Sequence, residues 1–247
     1  MFWVVQDDMF QENRRDDLIE TLCRFDIPYQ LVKINSDYNI YPDVEYEGNI
    51  ITNGSILLSK IAVKNGWKPG SLFNDNFTYE VWYPHFKDWL LNRDAVFTTL
   101  ADANPVLDKL FVRPLLDDKQ FTGRVMTRDE FYKWRAVTNI PQDIQILYSS
   151  VKQIGQEHRH FIVDGEVISS SRYKLNGQAN YTNYVDSYIV KFAQAMVDIW
   201  QPSKGFVLDT YISAEGIGIV EMGCICHAGL YQTDVQKIVM ALDGMKI

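Results

Sequence analysis

The sequence predicts a mixed α/β chain, with a small parallel sheet at its start and antiparallel hairpins further on. Three observations carry this. Strand-like and helix-like stretches alternate from Phe2 to Ala62 in the order strand, helix, strand, strand, helix, which is an α/β signature. Asp164-Gly165 lies between two β-rich runs and is the strongest short hairpin signal a sequence offers. Finally, Gly205 to Tyr231, GFVLDTYISAEGIGIVEMGCICHAGLY, reads as two apolar strands around the loop Ala214-Glu215-Gly216, where a left-handed last position suits glycine.

The elements follow in order. Phe2–Val5 is a first buried strand, and Asn13–Phe25 a helix with Leu18, Ile19, Leu22 and Cys23 at helical spacing. Tyr29–Ile34 and Asn49–Thr52 are strands. Asn53-Gly54-Ser55 turns into a helix carrying Leu57, Leu58, Ile61 and Ala62. That turn has the makings of a phosphate site at a helix start, but one glycine is a weak signal and an ordinary turn is the plainer reading. Gly66–Gly70 (GWKPG) punctuates the chain, and Tyr79–Leu100 reads as helical pieces broken near Pro84. A domain boundary is placed near residue 90. Leu110–Leu116 is a strand with a lone Arg113 in apolar surroundings, where a charge needs a partner or ligand. Asp117–Arg124 (DDKQFTGR) is a polar loop with Lys119 and Gly123, followed by the strand Val125–Thr127 and a helix from Asp129 to Val137 capped by Thr127. Gln145–Ser149 is a strand. Tyr181–Trp200 is a helix with a buried face, and Asp234–Leu242 closes the chain as an amphipathic helix.

Length and composition bound the function. The 247 residues suit one or two domains, and 47% hydrophobic residues can build a sizeable core. A net charge of -8 disfavours a general nucleic-acid or anionic-membrane binder. No apolar run reaches membrane-spanning length, and MFWVVQDDMF has no signal-peptide pattern. Three cysteines, Cys23, Cys224 and Cys226, suit a reducing cytosol. From Lys109 to Arg135 seven basic residues stand against four acidic ones, a local positive island suited to a small polyanion such as a nucleotide phosphate. Cys224-Ile225-Cys226-His227 lacks the further ligands of a zinc site, so a reduced, structural Cys-x-Cys is expected.

Pairing arithmetic then points to a site. A three-residue loop at 214–216 pairs Ser213 with Ile217 and sets Asp209 opposite Glu221. Two carboxylates facing each other in an apolar strand pair repel and resist desolvation, and a hard divalent cation between them removes both objections. Two carboxylates at an exposed sheet end is the plain alternative. In the other hairpin, a two-residue loop pairs Val163 with Glu166, placing Glu157 opposite Arg172 and Arg159 opposite Ser170. Glu157, Arg159, Ser170, Arg172 and Lys174 then share one face. This row is a floor for phosphates and an anionic substrate, or else a solvated outer face with a weak salt bridge.

Taken together, FVRPLLDDKQFTG, EHRHFIVDGEVISSSRY and VLDTYISAEGIGIVEMG…AGLY, in this order and spacing, resemble the ATP-grasp superfamily. The nearest resemblance is to a small bacterial and phage clade with Arg in place of the first phosphate-binding Lys. It implies a Rossmann-like pre-ATP-grasp domain over residues 1–90 and a two-lobed ATP-grasp domain over 91–247, with a lid lobe near 105–147 and a C-terminal lobe near 148–247. The implied activity is an ATP- and Mg²⁺-dependent carboxylate–amine ligase working through an acyl phosphate, on an amino acid or small peptide. A weakly catalytic nucleotide-binding module acting through a protein partner, or a kinase of the same fold, stays open. By resemblance, Arg113, Lys119 and Gly123 serve the phosphates. Tyr148, Ser149, Ser150 and Val151 read adenine through their backbone, and Glu157 contacts ribose. Arg159, Arg172 and Lys174 face the transferred phosphate or the substrate carboxylate, and Asp209 and Glu221 hold Mg²⁺. The expected partners are small carboxylate and amine substrates, with no nucleic acid and no membrane. A homodimer is compatible, and the expected location is the bacterial cytosol or that of a phage-infected host. Two positions depart from the family pattern. Gly223 stands where members commonly have Asn, and Val207 where many have Arg.

Overall fold

The computed structural model describes residues 1–7, 14–115 and 120–246. In chain order the elements are β1 (Phe2–Gln6), α1 (Arg15–Arg24), β2 (Tyr29–Ile34), β3 (Ile40–Tyr41), β4 (Ile50–Asn53), α2 (Ile56–Lys64), β5 (Pro69–Gly70), α3 (Tyr79–Phe86), β6 (Val96–Thr99), β7 (Lys109–Pro114), β8 (Arg124–Thr127), α4 (Arg128–Val137), β9 (Gln145–Ser150), β10 (Gln156–Val163), β11 (Glu166–Leu175), β12 (Gln178–Thr182), α5 (Ser187–Ile199), β13 (Gly205–Ser213), β14 (Gly216–Cys224) and α6 (Val235–Asp243). Packing divides the chain into two compact units, residues 1–77 with 154–247, and residues 78–153. Among the described residues no helix is long and apolar enough to cross a membrane.

The first unit holds two sheets. One has the order β3-β2-β1-β4-β5. Its strands run parallel except β3, which pairs antiparallel with β2. Trp3 and Val5 of β1 pack with α1, α6 and the second sheet, while Val4 packs with Val32, Ile50 and Leu58 on the other side. Burial on both faces is why β1 is an unbroken apolar run with no alternation. Ser55 caps α2, its hydroxyl accepting from the Leu58 N–H, and its own N–H donates to Gln6 Oε1 at 2.9 Å. The helix start is thus closed by protein groups, in line with the plain-turn reading.

The second sheet is antiparallel throughout, in the order β12-β11-β10-β13-β14. Asp164 and Gly165 both take positive φ, 47° and 84°, the two-residue turn whose twist matches the flanking strands. Asn176-Gly177 does the same at 50° and 78° and makes the β11–β12 hairpin. That hairpin carries the same dipeptide signal but is missing from the sequence reading. α6 seals one face of the sheet, packing with Phe161, Val163 and Val207. Residues of the other parity, including His158, His160 and Thr210, face the opposite way, and α5 packs against β10 and β11.

The second unit carries the sheet β6-β9-β7-β8, antiparallel throughout. Its core includes Leu110, Val112, Met126, Phe131 and Ile146. Thr127 and Glu130 form a reciprocal capping box at the start of α4, which satisfies two helix-end donors at once. The helical pieces expected up to Leu100 stop earlier. α3 ends at Phe86, and Val96–Thr99 is a strand. A Val-Phe-Thr-Thr run favours the pleated conformation over the helix.

Two buried histidines make the fold sensitive to acid. His160 is fully buried, its Nδ1 with Ser170 Oγ at 2.8 Å and its Nε2 with Thr210 Oγ1 at 2.9 Å. The buried His158 Nδ1 meets no hydrogen-bond partner among the described residues. Burial, reinforced by Arg172, lowers the His158 pKa to about 4, and burial with His158 beside it lowers that of His160 to about 3. Both are neutral when folded and bind protons more readily unfolded. Their contribution is therefore full above about pH 6.5 and is lost as pH falls toward 4. We expect the urea midpoint to drop steeply between about pH 6.5 and 4.5 in wild type. A His160→Gln variant, already less stable at neutral pH, should show a shallower drop.

Candidate functional site

The site is built on the central strand pair of the second sheet. Asp209 and Glu221 are directly opposite on β13 and β14, as the sequence predicts, but by a different route. The loop is two residues long, pairing Ser213 with Gly216, and a bulge at Val220 restores the register between Thr210 and Asp209. Asp209 also faces Arg159 across β10. The pair is bidentate. Arg159 Nε donates to Asp209 Oδ1 at 2.8 Å and Nη2 to Oδ2 at 2.7 Å, with side chains only 12% and 2% exposed. Burial opposes the Arg159 charge, but Asp209 outweighs it and raises the guanidinium pKa, so it stays protonated.

Around this pair the sheet is irregular in a way that shapes the site. β11 carries bulges at Ile168 and Tyr173. The second sets Lys174 opposite Glu157 and leaves Tyr173 unpaired in register, so both side chains reach the Glu157–Arg159 face. The Tyr173 hydroxyl lies 2.8 Å from Glu157 Oε2 and 3.2 Å from Asp209 Oδ2. It has one proton to give, and the shorter contact is with Glu157. Burial, then the two acids, raise its pKa. Lys174 Nζ pairs with Glu157 Oε1 at 3.2 Å. Tyr231 stacks on Tyr173 with ring centroids 4.9 Å apart, and the Arg159 guanidinium lies 4.9 Å from the Tyr231 centroid, a cation–π geometry. Tyr231 holds a positive φ of 46°. Arg14, at the start of α1, donates to the carbonyls of Tyr231 and Thr233 at 2.9 and 2.8 Å. Arg14 and Tyr231 carry no signal as site residues in the sequence, because nothing local links positions 217 residues apart.

The same bulge corrects the expected row of charge. Arg172 pairs in register with His158, not with Glu157, so it lies on the opposite face, where it donates to Asn180 Oδ1 at 2.6 and 3.2 Å. Ser170 likewise faces His160, and Ser171 takes the place opposite Arg159. The Cys-x-Cys segment is interior. Cys224 and Cys226 are buried, and the Cys224 thiol donates to the Ser71 carbonyl at 3.0 Å.

In the second unit, Arg113 is half-buried on β7 and Gly123 lies against it. A Cβ on Gly123 would sit 2.9 Å from the Phe111 ring and 3.3 Å from Arg113 Cβ, so only glycine fits there without displacement. Tyr148 and Ser149 are buried on β9. The Ser150 N–H donates to Asp94 Oδ2 at 3.0 Å, and Asp94 pairs with Lys152 at 2.6 Å. Val151 is 37% exposed just past the strand. Lys119 lies outside the described residues.

A magnesium ion was tested against the donors present. Asp209 and Glu221 offer oxygen only, which suits this metal. Asp209 accepts three hydrogen bonds, so its capacity of about four lone-pair sites is not exhausted. Among the described residues no cluster of three or more His, Cys, Asp or Glu is placed to hold a metal. Two carboxylates completed by phosphate oxygens and water is a usual way for magnesium to be held, so the donors fit the ion.

The comparisons agree with this architecture. No curated protein matches the chain. Among solved structures, a RimK domain ATP-grasp protein from Sphaerobacter thermophilus matches with a TM-score of 0.66 at 10% identity, over 99% of this chain and all of its own. The D-alanine–D-alanine ligase of Bacillus anthracis, complexed with ATP, matches at 0.64 and 12% identity, over 98% of this chain and 92% of its own. The ATP-grasp ligase PsnB, complexed with a phosphomimetic variant of its minimal precursor, Mg and ADP, matches at 0.60 and 11%, over 98% and 97%. At such identities these likenesses establish the fold alone. A family model for an ATP-grasp domain, the second family of the Arg-for-Lys clade, matches residues 90–241, more than half of the sequence, and the chain belongs to that family.

Proposed function

We propose that this protein is an ATP- and Mg²⁺-dependent ligase that joins a carboxylate to an amine, with an amino acid or small peptide as carboxylate substrate. The observation that carries the reading is the opposed Asp209–Glu221 pair with Arg159 locked onto Asp209, in a chain of this family. The matched D-alanine–D-alanine ligase and PsnB structures, one with ATP and one with Mg and ADP, support it by analogy.

The chemistry needs charge neutralisation and positioning more than a protein nucleophile. A substrate carboxylate oxygen bonds to the γ-phosphorus while the bond to the ADP oxygen breaks, giving an acyl phosphate. The amine then attacks the acyl carbon, phosphate leaves with the electron pair, and the amine proton passes to solvent. Magnesium held by Asp209 and Glu221 would screen phosphate charge. Arg159 fixes the rotamer of Asp209, and Lys174 with Tyr173 does the same for Glu157, assigned here to ribose. Arg113, Lys119 and Gly123 are assigned to phosphates and Tyr148–Val151 to adenine. The division at residue 90 is kept as part of the same proposal. Arg172 receives no part in the chemistry, because it belongs to the His158 face.

A second reading rests on Gly223, where the family's Asn oxygen is missing. It makes the chain a nucleotide-binding module that acts through a protein partner. The two separate cleanly. With magnesium, ATP and a panel of amino acids and dipeptides plus amines, the ligase reading expects ADP that forms only when both substrates are present. Tight ATP binding with no ADP under any pair would transfer the case to the second reading. Glu221→Gln should weaken magnesium-dependent nucleotide binding by calorimetry on the order of tenfold, about 1.4 kcal/mol, and Arg113→Ala should weaken nucleotide binding as well.

The buried ion pair has its own test. Arg159→Met strands the Asp209 carboxylate and should cost about 3–5 kcal/mol in chemical denaturation. Adding Asp209→Leu removes the stranded charge and should restore most of that loss while abolishing activity. A double variant as unstable as the single one would show that the pair contributes more than mutual neutralisation.

A further inference from the structure

β11 is ten residues long, but β12 pairs with it only from Arg172 to Leu175. Among the described residues, Val167–Ser171 therefore has a strand neighbour on the β10 side alone. Beside this open edge runs a groove of about 490 Å³, within the size range of ligand pockets. Its floor is Val167, Ile168, Ser169 and Ser170. One wall comes from Asn183, Val185 and Val190, at and before the start of α5, and the other from Gln232, Thr233, Asp234 and Lys237, at the start of α6. The serines turn to opposite sides. Ser169 Oγ accepts the Asp234 N–H at 2.8 Å, and Ser170 Oγ meets His160.

An edge strand with unspent backbone groups is a template for another strand, and proteins usually blunt it with charge, proline or a cover. This edge carries neither charge nor proline from Val167 to Ser171. Gln194 caps only its beginning, accepting from the Val167 N–H at 3.0 Å. Residues of both α5 and α6 flank it, so the recess admits one extended chain more readily than the edge of a second folded sheet. The groove is also continuous with the candidate site. β11 supplies Tyr173 and Lys174 to that site, and the 231–234 segment gives Tyr231 to one and Gln232 to Asp234 to the other.

We propose that the open edge of β11 docks an extended peptide segment as an added strand, this segment being the part of a peptide substrate remote from its reacting carboxylate. Main-chain bonds to Val167–Ser171 supply register. Alternate side chains turn toward Val185 and Val190, favouring apolar residues at every second position. Binding energy from a remote segment of this kind can be used to position the reacting end. The identity of the segment as substrate rests on the ligase reading, but its binding does not.

The test is panning of a random dodecapeptide library against the whole protein without nucleotide, followed by anisotropy titration of the enriched peptides. Expected are peptides with alternating apolar residues whose affinity falls at least tenfold when alternate backbone nitrogens are methylated. The same loss is expected when the groove is filled by Asn183→Trp or, independently, Gln232→Trp, both at exposed positions. If neither filled variant rejects the enriched peptides, or N-methylation has no effect, the proposal is wrong. A wild-type dimer by light scattering that Asn183→Trp dissolves would overturn it in favour of a second copy of this chain. Because no turnover is read, failure here leaves the ligase reading intact, and absence of ADP in the earlier assay leaves this result intact.

Discussion

The contact between Arg159 and Asp209 is the constraint from which the rest of the site follows. Asp209 is 1% exposed on a central strand of its sheet, and a carboxylate so placed must be matched by a cation or give up its charge. Arg159 supplies the match from the adjoining strand β10, which fixes β10 against β13 in one register, since a slip of one residue would turn one partner to the far face. Once that register is set, Glu157 falls two residues along the same face, and Tyr173 is drawn between the two acids. The cost of burying three polar side chains is met locally, by hydrogen bonds that each group accepts or donates within the cluster.

The two departures from the family pattern turn out to be one. Val207, where many members have Arg, lies directly opposite Gly223, where members commonly have Asn. Phe161 faces Val207 from the other side. A Cβ on Gly223 would lie 3.3 Å from Val207 Cγ2, so a side chain there must press on the apolar group that stands for the Arg. The core layer beneath α6 thus reaches up to the acids, and the polar site begins abruptly at Asp209. Arg159 places the guanidinium one strand over instead of two residues back, which keeps a positive charge on Asp209 while freeing positions 207 and 223 for core packing. A single metal bridged by Asp209 and Glu221 needs no donor from position 223.

Much of this is legible in the sequence, for identifiable reasons. The outer signals are chemical and local. They include Asp164-Gly165 as a left-handed turn, Thr127 as a cap, the apolar run of β1, and the helical spacing of α2, α5 and α6. The opposition of Asp209 and Glu221 is legible too, although a loop one residue shorter than expected and the Val220 bulge cancel to give it. What cannot be read is where a strand inserts an extra residue. Bulges at Ile168 and Tyr173 depend on how β11 twists against β10, a property of the assembled sheet. One such residue moves Arg172 to the far face and brings Tyr173 to the near one. Arg14 and Tyr231 are beyond reach for a related reason, since a backbone carbonyl carries no sequence signature.

The same irregular strand links site and surface. β11 is bounded by β10 along its whole length and by β12 along less than half of it, so its Tyr173 end is locked between neighbours and its Val167 end has one side free. Pairing orders a strand by fixing its backbone groups, and an unpaired edge keeps that ordering incomplete. A chain laid along Val167–Ser171 would complete it, stiffening the strand that carries Tyr173 and Lys174, and would press on the 231–234 segment held by Arg14. Recognition at the edge and geometry at the acids would then be coupled through one strand and one loop. Such coupling needs no long pathway, because β11 and the 231–234 segment each belong to both places.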